Sequence, residues 1–140
     1  MNFTLLRLAC LAAISLNPVS AEEPGKKNLS FRKEIKPILR EKCVHCHNRK
    51  TLPEEVSFES ASGAFVQTEA GQSIIVPGKP EESLLIVALE SDQMHEKSMP
   101  MVGPRPTKEE IERLKQWIRE GATWPKGLIG RIIPPFYATE

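Results

Sequence analysis

The sequence predicts one small, mostly helical domain, on three observations. The chain has 140 residues, room for a single core and too few for two ordinary domains. Two stretches, 31–42 and 107–121, place apolar residues at helical spacing behind recognisable helix starts. Between them, glycines and prolines punctuate short pieces with no long period. Charge and cysteine counts narrow the function. Lys+Arg is 19 and Asp+Glu is 18, a net charge of +1, so there is neither a basic footprint for nucleic acid nor an acidic tail. Three cysteines are too few for a disulfide-dense scaffold.

Residues 1–21 read as a secretory signal peptide. Arg7 precedes an apolar run, Leu8 to Leu16, and Asn17-Pro18 breaks any helix. Val19-Ser20-Ala21 then offers the small residues that a signal peptidase reads. The run falls short of the roughly 20 residues that span a bilayer; an uncleaved N-terminal anchor is the alternative. Cys10 lies inside the run, with Arg7 upstream, unlike a lipoprotein site. Cleavage would remove Cys10 and leave Cys43 and Cys46 in a periplasmic or otherwise extracytoplasmic chain. No membrane span is expected beyond the signal.

Residues 22–28 are polar, with Pro24 and Gly25, and read as a flexible leader. In the first helix, Phe31 to Lys42, the residues Phe31, Ile35, Ile38 and Leu39 share a face and Ser30 caps the start. Pro37 is expected to kink it or to limit it to a turn on either side. Short β-like pieces are expected around Val56–Phe58 and Ser73–Val76. Pro80 opens a second helix, with Glu81 and Glu82 in its first turn. Ser91 to Pro106 reads as a loop. Thr107-Lys108-Glu109-Glu110 is a capping box for the third helix, with stripe Ile111, Leu114, Trp117 and Ile118 and a stop at Gly121. Residues 126–140 form a tail that either packs on the domain or docks elsewhere.

Cys43-Val44-His45-Cys46-His47 is C-x-x-C-H, the attachment pattern of c-type haem. Two thiols at that spacing reach the two vinyl groups of one porphyrin, and the following histidine becomes the proximal iron ligand. A C-x-x-C redox pair lacks the expected βαβ surroundings. A zinc site would need His95 as fourth ligand beside Cys43, Cys46 and His47. His45 is expected to face solvent. Met94, His95, Met99 and Met101 are the candidates for the distal ligand, with Met99, stiffened by Pro100, preferred.

These residues, with their neighbours, resemble the planctomycete-type cytochrome c domain, a branch of the class I cytochromes c. The resemblance runs from about Leu29 to Pro125. It is carried by Phe31 to Leu39, the C-x-x-C-H, Ile75-Val76-Pro77-Gly78-Lys79-Pro80-Glu81-Glu82-Ser83-Leu84-Leu85, Ser98-Met99-Pro100 and Trp117 to Pro125. It implies a class I cytochrome c-like helical fold around one covalent haem c, with the first and last helices packed together. It also implies Met99 as distal ligand. Met101 stands where a second proline is usual, Asn48 where a glycine is usual, and Glu55 to Phe65 departs from the pattern. Trp124 is expected either to bond a haem propionate or to cap the core. Arg105 is a solvated loop charge or a propionate partner.

The function expected is that of a single-haem electron carrier serving redox partner proteins, not an enzyme. One alternative leaves the distal site open, giving a peroxidase-like or gas-sensing protein. The other is a haem-stabilised docking subunit that uses the apolar tail, Leu128 to Tyr137.

Overall fold

A computed structural model describes residues 29–53, 55–92 and 98–135. The expected signal (1–21) and leader (22–28), Met94, His95 and the end of the tail lie outside the described residues. Helix begins at Phe31. Ser30 Oγ accepts from Lys33 N at 3.4 Å, while Ser30 N donates to the Glu34 carboxylate at 2.8 Å. Phe31–Ile35 is a π turn, and α1, Lys36–Lys42, continues from it. The π turn is how Pro37 is accommodated. Lys36 N bonds back to Phe31 O, and Pro37 falls in the first turn of α1, where its missing N–H is not needed.

The β-like pieces are not strands. Among the described residues, β pairing is limited to one isolated bridge, Gln67 with Ser73. Ser57 N instead closes a tight loop on Gly63 O at 3.1 Å, and Phe58 N reaches His47 O at 3.0 Å. The short α2, Ala61–Ala64, overlaps the end of that loop. The second helix is divided: Pro80–Glu82 is a 3-10 turn and α3 runs Leu84–Glu90. Ser83 makes the division. It is fully buried; its Oγ accepts from Val76 N and donates to Lys79 O, both at 2.9 Å. The side chain thereby secures the Val76 to Lys79 turn.

The third helix matches the sequence reading closely. It is α4, Lys108–Arg119, with both halves of the capping box formed and Gly121 in the left-handed region at φ 95°. The first helical segment and α4 pack together. Trp117 stacks at 5.9 Å from Phe31, Trp124 at 4.8 Å from Phe31, and the two indoles lie 5.9 Å apart. Ile35, Leu39, Leu114 and Ile118 are completely buried behind them. Each such side chain contributes roughly 1.5–3 kcal/mol of hydrophobic burial.

The two loose ends of the domain are tied by polar contacts. The described part of the tail packs on the core. In it, α5 runs Gly127–Gly130, Ile132 and Pro134 are buried, and Ile132 N donates to Glu59 O at 2.9 Å. Trp124 Nε1 donates to Gly130 O at 2.7 Å, and Lys36 Nζ to Ile129 O at 2.9 Å. The Trp124 N–H is therefore spent on the tail and not on a propionate. Leu128, at 84% exposure, and Ile133, at 52%, face outward. On the other side, Arg105 spans the loop after α3. Its guanidinium donates to Leu89 O at 2.7 Å, Ser91 O at 3.2 Å and Ser98 Oγ at 2.5 Å. Sequence reasoning left Arg105 as a solvated charge or a propionate partner; it is half-buried and binds the C-terminal carbonyls of α3.

Two substitutions test these ties. A Cβ at Gly130 would run into the Pro125 carbonyl oxygen and the Trp124 ring, whereas one at Gly71 meets nothing within 4 Å. Gly130→Ala should release the tail, seen as new proteolytic cleavage after residue 125, and Gly71→Ala, strained only by its φ of 77°, should not. Arg105→Met leaves acceptors at the end of α3 without donors and should lower unfolding free energy by about 1–3 kcal/mol in denaturant titration.

Candidate haem-attachment site

The chain does not stop turning at the end of α1. Cys43 N and Val44 N both bond Leu39 O, at 3.1 and 2.9 Å. Cys46 N and His47 N both bond Cys43 O, at 3.2 and 2.9 Å. One further turn therefore carries Cys43, Cys46 and His47 at i, i+3 and i+4, positions that share a face. Val44 is fully buried and pins the turn to the core, and His45 is exposed, as the sequence reading expects.

Both thiols are free rather than paired, with Cys43 buried and Cys46 exposed. Burial, with lesser contributions from Cys46 and Glu110, pushes the Cys43 thiol up to about 12. That is opposite to the lowered thiol pKa that a C-x-x-C redox pair uses. Among the described residues, no three His, Cys, Asp or Glu side chains gather around a point fit for a bare metal ion.

His47 is held by the loop that follows. Phe58 lies edge-on to its ring at 5.8 Å and 88°. Nδ1 is buried and has no hydrogen-bond partner. Burial holds the imidazole below its ordinary value; the Val56 backbone and Glu55 act the other way. The Val56 backbone lies close enough to favour the charged ring without meeting hydrogen-bond geometry at Nδ1. A neutral, inward-anchored imidazole is the form that binds a metal.

In the loop after α3, Met99 is half-buried and its N donates to Ala88 O at 3.0 Å. Met101 is 77% exposed. Met94 and His95 lie outside the described residues. Asn48, where the resemblance leads one to expect glycine, is fully buried and hydrogen-bonded on all sides. Its importance had no signal in the sequence beyond that departure. Arg105 likewise showed only as a charge in a proline-rich loop.

These residues fit a covalent haem. Two free thiols and a neutral imidazole share one turn, the imidazole has an orphaned inner nitrogen, and no competing metal cage forms among the described residues. Cys43 and Cys46 would hold the porphyrin and His47 its iron.

No curated protein and no solved structure matches the chain. A family model does: planctomycete cytochrome C, over residues 43–101. The match starts at Cys43, ends at Met101 and spans the centre of the region that carries the resemblance. The segment with the attachment turn, α3 and the Met99 loop is therefore similar to the planctomycete cytochrome C family, a likeness that supports a haem-binding c-type cytochrome.

Proposed function

We propose that the chain is an extracytoplasmic, single-haem electron carrier whose iron is ligated by His47 and Met99. The observation that carries this reading is the attachment turn. It offers two uncommitted thiols and one neutral imidazole, and the chain has a single C-x-x-C-H. Haem, when bound, supplies a one-electron iron couple. The chain's own residues do the rest. Phe58, edge-on to the His47 ring, limits its rotation. The Arg105 ties and the Met99 N to Ala88 O bond fix both ends of the Met99 loop. The Met99 thioether, bound to the iron, would favour the reduced state and leave no open position for substrate. That makes electron transfer the natural activity, rather than catalysis on a small molecule.

Met99 is favoured over Met101 because it is half-buried and its backbone is pinned to α3, whereas Met101 points into solvent. The extracytoplasmic setting rests on the signal-like residues 1–21 and on the oxidising compartment in which cysteines are presented for attachment. Partners are then redox proteins of that compartment.

Two measurements test this. Protein made with a haem-maturation system should give a pyridine haemochrome spectrum of a two-thioether haem. Cys43→Ala or Cys46→Ala should shift it to a single-thioether spectrum, and the double variant should lose covalent haem. A wild-type chain without covalent haem would overturn the reading. The ferric protein should be low-spin with a methionine-to-iron charge-transfer band, lost in Met99→Ala and kept in Met101→Ala. A high-spin ferric spectrum with rapid cyanide binding in the wild type would instead favour the open-site, peroxidase-like alternative.

A further inference from the structure

His47 N is the last backbone donor of the attachment turn to reach four residues back. Asn48 N bonds Cys46 O at 3.0 Å instead, and Arg49 N turns away to the Glu59 carboxylate at 2.8 Å. The carbonyls of Val44 and His45 thus lose the donors that a continuing helix would bring. The Asn48 side chain replaces them. Its Nδ2 donates to Val44 O at 3.0 Å and His45 O at 2.9 Å, and lies 3.0 Å from Thr51 Oγ1. Its Oδ1 accepts from Lys50 N and Thr51 N, both at 3.0 Å. A flipped amide would set oxygen against three oxygens, so the network admits one orientation. One fully buried amide therefore joins the incoming arm of the turn, 44–46, to the outgoing arm, 50–51.

We propose that Asn48 is a positioning residue for haem attachment: its amide locks the turn that presents Cys43, Cys46 and His47 as a set. This rests on the haem reading above. Glycine at this position would leave the Val44 and His45 carbonyls without donors. Aspartate would keep the acceptor for Lys50 N and Thr51 N but place a charged oxygen against those carbonyls. The two halves of the amide are therefore separable by substitution.

The test uses the full chain, co-expressed with a haem-maturation system, as wild type, Asn48→Ala, Asn48→Gly and Asn48→Asp. Leu114→Ala and Ile118→Val, buried core changes on α4 outside the 43–51 segment, bracket the loss of stability. Four quantities are read: covalent haem per polypeptide by intact mass, thermal midpoint, amide exchange at Lys50 and Thr51, and the midpoint potential of the loaded fraction. Asn48→Ala and Asn48→Gly should load several-fold less haem than the core variant of equal thermal midpoint. Asn48→Asp should keep slow exchange at Lys50 and Thr51 yet load as poorly as Asn48→Ala. The midpoint potential should move in the Asn48 variants and stay at the wild-type value in the core variants. The proposal is overturned if loading in the Asn48 variants follows thermal midpoint along the same line as the core variants, or if loading and potential are unchanged. A wild-type chain that carries no covalent haem fails the haem reading itself. A loaded wild type with no Asn48 effect fails this proposal alone.

Discussion

The rest of the domain depends on one turn of backbone, Cys43 to His47, which must keep two thiols and an imidazole on one side. A short turn at the end of a helix is a poor place to store geometry, because its carbonyls have no following residues to bond them. Here the turn is held from three directions. Leu39 O binds it to α1 through Cys43 N and Val44 N. The Asn48 amide closes it from within. The loop 56–59 braces it from outside, through Phe58 against His47 and the Glu59 carboxylate on Arg49 N. Glu59 also accepts Ile132 N through its carbonyl, so the described tail bears on the attachment turn through a single residue.

The opposite end of the core supplies the rigidity on which that turn stands. Phe31, Trp117 and Trp124 bring the first helical segment, α4 and the post-α4 strip into one aromatic cluster. Leu29 N reaches the Glu120 carboxylate at 3.3 Å, which closes the described chain start onto the end of α4. The π turn at Phe31–Ile35 lets this packing coexist with Pro37. Phe65 joins the cluster edge-on to Trp124 at 6.3 Å, in a chain that is 6% aromatic. A porphyrin would therefore add apolar volume that the sequence does not itself provide.

What was legible in the sequence followed from local rules. The capping box at Thr107, the stop at Gly121 and the apolar stripe of α4 each depend on residues within a few positions of one another. The C-x-x-C-H is legible for the same reason. The β-like pieces misled because Val56–Phe58 and Ser73–Val76 have strand composition but spend their donors on a loop partner, on His47 O and on the Ser83 hydroxyl. Asn48, Trp124 and Arg105 were opaque in different ways. Asn48 acts on neighbours three and four residues back, yet only the folded turn shows which carbonyls lack donors. Trp124 and Arg105 bind backbone carbonyls, which every residue carries and no sequence pattern marks.

The two sides of the site are built on different principles, and this bears on how the domain works. The attachment side is a closed network: the Asn48 amide is surrounded by backbone groups, and Val44, Asn48 and Phe58 are buried. The Met99 side is a loop fixed at its ends, by Arg105 across Leu89, Ser91 and Ser98 and by Met99 N on Ala88 O. A covalent bond needs its partners in register before it forms, so order has to reside in the thiol-bearing turn from the outset. A Met99 thioether, were it to ligate the iron, would form a reversible bond and would not need the register that a covalent attachment needs. The guanidinium tie also separates loop geometry from loop sequence, because its acceptors are two backbone carbonyls and a serine hydroxyl. Met101 takes part in none of these bonds, and Met99 N still meets Ala88 O on α3.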